Sequence, residues 1–459
     1  MSPSEMEHTP QHQYLQHDDT FDRSTTASQD DMQEDQAEDA VAPTFPMGSS
    51  AFEGRELLPR RILFLPSDGP ARAYVQPFVH FGTTEPPNAT SRQSFYRKVT
   101  GLRETEIWLD IDREKAARIR REYKAMESWG LKEGDHEHTA VELILKREWR
   151  WPERETKTEE VTNERVTKIG IKPIPSLRWK APPLIGKHEP RKSNYKPFEF
   201  DVFPDALYWI SLNNFDPGRT VLFEPFVHIF NQRILLPYLT VEHKCDGTES
   251  RNAKHQIAAS AAMILYNRFL VKGILLDLTG APWSTVNTSN LRHYGLIMMG
   301  SKWSIWLARP RITRSGKWSG CTVDCIDEGT MSSYTVIQKL GDWLNEIHRW
   351  GLTTWGTEVI QDLETCVATA SSRALEELEV SGNEFGADEE EPDVEEENLN
   401  AEVELYTDTG SRRRRSKRAR SQTWETEADL ADEDADQEEL GDASGFVSGL
   451  RRSKRLRSH

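Results

Sequence analysis

The sequence predicts an α/β fold, and three stretches carry that expectation. Leu235 to Lys244 is an apolar run of strand length. A helix is expected next, from about Asn252 to Val271, with Ile257, Ala261, Ile264 and Leu265 at helical spacing. Tyr294 to Met299 and Trp303 to Ala308 then read as paired strands joined at Gly300-Ser301.

Other elements follow from local signals. Arg61 to Pro66 reads as a short extended piece, and Asp112 as the cap of a helix running to Trp129, with Ala116, Ile119, Tyr123 and Met126 inward. A second helix is expected over Thr139 to Trp149, and a charged, exposed run over Arg154 to Lys168. Asp205 to Leu212 reads as a strand, and Asp216-Pro217-Gly218 as a turn. Tyr334 to Trp350 is amphipathic, with Gly351 as its C-terminal cap, and a further helix covers Val359 to Leu378.

Charge divides the chain. Residues 1–40 hold eleven acids against Arg23 alone, and residues 376–404 hold fourteen acids and no base. The whole chain carries −17, yet residues 41–375 come out basic by 6. Acidic, polar ends cannot bury enough apolar surface to offset chain entropy, so disorder is expected over 1–50 and 376–459. A mostly helical segment (51–196) then precedes a core (197–375). The basic middle is compatible with a polyanionic partner.

Four cysteines are too few for a disulfide framework in 459 residues. The first residues lack the basic and apolar regions of a signal peptide, and Asn267, Arg268 and Lys272 interrupt the most apolar stretch. A soluble protein of a reducing compartment, without membrane contact, is the expectation. There is no Gly-x-Ser-x-Gly, no His-Glu-x-x-His and no glycine-rich phosphate loop, which excludes the commonest hydrolase, zinc-protease and nucleotide-site readings.

The chemistry concentrates at Glu242-His243-Lys244. Side chains alternate along a strand, so Glu242 and Lys244 project together at its end while His243 faces away. Burying such a pair is costly without a purpose or a partner. Pro204-Asp205 opens the preceding strand, and Asp205 beside Glu242 would make a hard oxygen site suited to Mg²⁺. Glu-x-Lys recurs at Glu122-Tyr123-Lys124 and Glu155-Thr156-Lys157, but the first lies in an expected helix and the second in a charged run.

Pro204-Asp205 with Glu242-His243-Lys244 resembles the PD-(D/E)xK nuclease superfamily. The segment Asn252 to Phe269, together with Arg292-His293-Tyr294-Gly295-Leu296, looks like uncharacterised fungal proteins of that superfamily. The resemblance implies a restriction-endonuclease-like αβββαβ core. It implies Asp205 and Glu242 as metal ligands, Lys244 as the group that assists the attacking water, and Gln256 on the following helix as a further site residue. The activity implied is Mg²⁺-dependent hydrolysis of DNA. The alternative is a catalytically inactive nuclease fold that binds nucleic acid or protein partners. The superfamily's helical acid has two candidates, Glu142 and Glu224. Thirty-seven positions separate Asp205 from Glu242, so an insertion must loop out between their strands.

Two basic clusters, Arg412 to Arg420 and Arg451 to Arg457, read as nuclear localisation signals for an import receptor. Lys302, Arg309, Arg311, Arg314 and Lys317 interleave with Trp303, Trp306 and Trp318; the tryptophans read as core and the cations as a solvated face open to a DNA backbone. Cys321 and Cys325 read as buried thiols rather than zinc ligands, and His293 as structural.

Overall fold

The computed structural model describes residues 46–65, 75–85, 96, 106–148, 161–174, 178–185, 198–245 and 250–384, with side chains to 376. Both basic clusters, most of the tails and Glu155-Thr156-Lys157 lie outside the described residues.

Seven strands form one mixed sheet: β1 (Ile62–Phe64), β2 (Thr162–Thr167), β3 (Ala206–Ser211), β4 (Ile234–Lys244), β5 (His293–Met299), β6 (Lys302–Ile312) and β7 (Trp318–Thr330). Their spatial order is β1-β7-β6-β5-β4-β3-β2. Pairing is parallel at β1/β7 and β4/β5 and antiparallel elsewhere. All eleven residues of β4 are buried, as expected for a central strand covered on both faces.

Helices cover both faces: α1 (Pro77–Phe81), α2 (Arg113–Trp129), α3 (Glu133–Leu143), α4 (Pro217–Phe223), α5 (Ser250–Thr279), α6 (Tyr334–Trp350) and α7 (Thr357–Glu384). α5 is the crossover that lets β5 run parallel to β4, and it packs along β4, β5 and β6. Gly295 permits that approach: a Cβ there would lie 2.6 Å from Ile257 of α5. By length and composition α5 could also cross a membrane, and 61% of its most apolar window is buried in the fold. On the other face, α6 packs against α1, α2 and β7.

Several expectations hold closely. Asp112 caps α2, its carboxylate accepting from Lys115 N at 2.8 Å, and Ala116, Ile119, Tyr123 and Met126 are the buried positions. Each apolar side chain so buried contributes roughly 1.5–3 kcal/mol relative to exposure, Ala116 less. Trp303, Ile305 and Leu307 are core, and so are Ser304, Trp306 and Ala308 between them. Because both faces of β6 are covered, the cations collect at its ends: Lys302 at the start, Arg309 and Arg311 toward the far end, Arg314 and Lys317 in the turn before β7.

Other expectations are corrected. The second helix starts at Glu133 and ends at Leu143, because Gly130 in the left-handed region closes α2 and the Asp135 carboxylate accepts from Lys132 N to open α3. Part of the charged run is strand β2, with Asn163, Glu164 and Arg165 buried. Arg233 neutralises Glu164 with two hydrogen bonds of 2.9 and 2.8 Å, and Arg165 donates to the Leu145 carbonyl. Asp216-Pro217 is no simple turn but the N-cap and first residue of α4. That helix lies within the long insertion between Asp205 and Glu242. Gly351 does not end its helix: it keeps right-handed helical geometry and the chain continues through a π-turn into α7. Its lack of a side chain serves packing, since a Cβ would meet the Tyr238 ring at 2.5 Å.

Candidate active site

The end of β4 and the start of β3 come together because the two strands are antiparallel, with Ala206 opposite Val241. Asp205, the residue before β3, is fixed there by its neighbour: its Oδ2 accepts from His243 N at 2.6 Å. Thr240 is in register with Gly295, whose missing side chain marks the α5 side of the sheet. Alternation then carries Glu242 and Lys244 to that same side.

Lys244 Nζ is the centre of the arrangement. It lies 3.5 Å from Asp205 Oδ2, 3.6 Å from Glu242 Oε2 and 3.4 Å from Glu133 Oε1. It also donates to the His243 carbonyl at 2.5 Å. Three carboxylates therefore share one ammonium, and two of the three were expected from the sequence.

The third, Glu133, is the residue that sequence reasoning missed. It is the first residue of α3, which packs on β4. Glu142 lies on the same helix but is half exposed and ion-paired with Arg118 at 3.0 Å, and Glu224 is an exposed residue at the end of α4. The signal that could have found Glu133 is the boundary itself. Gly130 as a helix stop puts Lys132 to Asp135 at the start of the next helix, where acids are favoured.

Burial sets the electrostatics. Glu242 is fully buried, and neither of its side-chain oxygens has a hydrogen-bond partner. Desolvation, and then the Asp205 charge, raise its pKa well above the usual carboxylate range against the pull of Lys244. Burial also works against the charged form of Lys244, but Asp205, Glu242 and Glu133 outweigh it and hold its pKa above the ordinary value. His243, on the opposite side, is pushed down to about 4, chiefly by burial, and is a neutral imidazole at pH 7.

Gln256 sits on α5, one residue before Ile257, with its Oε1 buried and without a hydrogen-bond partner. No hydrogen bond joins it to Asp205, Glu242 or Lys244 among the described residues. His293 is buried against Thr240, Nε2 to Oγ1 2.8 Å, and burial lowers its pKa to about 3, a structural role. Cys321 and Cys325 are buried on β7, and burial pushes the Cys321 thiol up to about 12.

The donor set suits a hard cation: two carboxylates and a backbone carbonyl, with buried carboxylate oxygens lacking hydrogen bonds. As arranged, the carboxylates face the ammonium, and no three His, Cys, Asp or Glu side chains converge on a common ion position among the described residues. No family model, curated protein or solved structure matches the chain.

Proposed function

We propose that the chain is a metal-dependent nuclease of the PD-(D/E)xK type acting on DNA. One observation carries the reading: Asp205 and Glu242 are held within 3.6 Å of Lys244 Nζ, and both oxygens of buried Glu242 lack hydrogen-bond partners. A fold retains so costly a group when a ligand or a reaction uses it. The chain order adds support. Helix α3, the antiparallel strands β2, β3 and β4 (with α4 inserted between β3 and β4), helix α5 and the parallel strand β5 run in an order compatible with the αβββαβ core that the sequence resemblance implies.

In this reading Asp205, Glu242 and the His243 carbonyl would hold Mg²⁺, which supplies Lewis-acid relief of the charge building on the scissile phosphate. The chain's own residues do the rest. Lys244 orients the attacking water and gives its charge to the transition state, in a pocket where Coulombic effects are strong. Glu133 holds the Lys244 ammonium in place from the α3 side. His243 fixes Asp205 through its backbone N–H, while its side chain lies on the opposite face of the strand. Gln256 has a free carbonyl oxygen on the same side of the sheet, available to a bound strand or a water. The basic clusters at Arg412 to Arg420 and Arg451 to Arg457 would deliver the protein to the nucleus through an import receptor.

A second reading keeps the fold and drops the chemistry. It rests on the carboxylates facing the ammonium rather than a shared ion position. The two are separated by incubating purified protein with Mg²⁺ or Mn²⁺ and single-stranded, duplex and branched DNA. Cleavage that disappears in Glu242→Ala is the expected result. Salt-sensitive binding without cleavage supports the second reading, and cleavage that survives Glu242→Ala overturns the first.

A further inference from the structure

A second concentration of charge lies at the other end of the central strands. Leu239 is paired with Tyr294 and Lys244 with Met299, so the start of β5 at His293 is roughly 20 Å along the strands from Lys244, at about 3.3 Å per residue. Arg292 immediately precedes β5. On the neighbouring antiparallel strand His293 is opposite Ala308, which puts Arg292 and Arg309 at the same end of adjacent strands.

The Arg292 guanidinium carbon lies over three rings, 5.1 Å from the centroid of Phe81, 5.5 Å from Tyr294 and 4.9 Å from Trp350. Arg349 lies over the same Phe81 at 5.8 Å. Of the three arginines only Arg349 is paired with an acid among the described residues: Glu346 accepts from it at 2.9 Å. Arg292 and Arg309 make no ion pair among the described residues, and Arg292 Nε is buried without a hydrogen-bond partner. Among the described residues, three cations thus stand against one ion-paired carboxylate beside aromatic surface.

Burial lowers the Arg292 pKa most, Tyr294 works against it, and the charges of Arg309 and Arg349 lower it further. His80 bonds Tyr294, Nε2 to OH 2.9 Å, and is itself pushed down to about 4 by burial and then by Arg292 and Arg309. A guanidinium is planar, and contact with ring faces leaves its in-plane N–H donors to other partners. That geometry suits an oxyanion with several oxygens in reach, and the charge excess matches a phosphate.

We propose that Arg292, Arg309 and Arg349, backed by Phe81, Tyr294 and Trp350, form an anion subsite that takes a phosphate group. The source is either an internal phosphodiester of a nucleic-acid strand or a free phosphate. The subsite stands apart from the carboxylate cluster and does not depend on its activity.

Calorimetric titration of the full chain in EDTA tests this, with inorganic phosphate in one arm and a dodecathymidylate lacking terminal phosphates in the other. At least one probe binds, and Arg309→Ala, at an exposed position, weakens it roughly tenfold or more, as expected for loss of a charge-assisted contact. Arg292→Lys also weakens it, because the planar fork is lost while the charge remains. Glu242→Gln leaves it unchanged. Binding of phosphate alone assigns a free phosphate, and binding of the oligonucleotide alone assigns the phosphodiester. The proposal is overturned if neither probe binds, if Arg309→Ala binds like the parent, if acetate binds as tightly, or if Glu242→Gln has the same effect as Arg309→Ala.

Discussion

Glu133 Oε1 lies 3.4 Å from Lys244 Nζ, joining the first residue of α3 to the last residue of β4. The contact brings a helix that precedes β2, β3 and β4 up to the proposed site at the end of β4. If Glu133 positions the lysine, Glu133→Gln should lower the cleavage rate roughly 10–100-fold, the range seen when groups that orient a site are removed. The Glu142→Gln variant, on the same helix but paired outward to Arg118, should cleave like the parent. Single-turnover rates at saturating Mg²⁺ compare the two.

Glu242→Gln should stabilise the protein when no divalent cation is present. The folded state raises the Glu242 pKa, chiefly by desolvation, so ionised Glu242 opposes folding. The penalty is absent below the ordinary carboxylate range, grows as pH rises toward the raised folded pKa, and is complete above it. At pH 8 in EDTA the variant should gain on the order of 1–3 kcal/mol, and the gain should vanish near pH 4. Denaturant melts across that range give the answer, and a variant no more stable than the parent at pH 8 would count against the buried charge.

Removing the cation should do the reverse. Lys244→Met leaves Asp205, Glu242 and Glu133 facing one another, a loss of about 3–5 kcal/mol at neutral pH. Mg²⁺ should then raise the melting temperature of the variant more than that of the parent, because the ion takes over the role of the ammonium. Equal shifts in the two proteins would argue that the carboxylates do not hold the ion.

Gly351→Ala distinguishes packing from capping. A left-handed cap would be strained by any side chain, whereas Gly351 has helical geometry, with a Cβ placed 2.5 Å from the Tyr238 ring. The expected cost is about 1–3 kcal/mol, from overpacking. Tyr238→Leu in the same chain should recover part of it, which a cap would not do.

The sequence was most legible where one physical pattern dominates. The helix Arg113–Trp129 is bounded by Asp112 and Gly130 and has a clean apolar stripe, and it appears as expected. The strand Ile234–Lys244 is apolar throughout, which fits its place in the middle of the sheet. Trp318–Thr330 was not read as a strand, because Ser319, Thr322, Asp324 and Asp327 break the apolar run. Asp327 is buried there by partners distant in sequence, Lys339 at 2.6 Å and the Trp343 indole N–H at 2.6 Å. Thr162–Thr167 was hidden in the same way, its Glu164 neutralised by Arg233. In the site, Asp205, Glu242 and Lys244 were legible because strand alternation is local information. Glu133 was not, since its approach to Lys244 depends on how α3 docks.

β1 has a consequence for the order in which the protein is made. Its three residues pair with Cys321, Thr322 and Val323 of β7, and the Arg61 carbonyl accepts from Cys321 N at 3.1 Å. This strand, the first of the described ones in chain order, therefore has no β7 partner until nearly the whole described domain has followed it. Such non-local closure is slow, and until it happens one edge of β7 exposes backbone groups that another chain could pair with. A chain beginning after Leu65 would carry that open edge permanently, so truncation there should favour self-association over loss of the sheet itself.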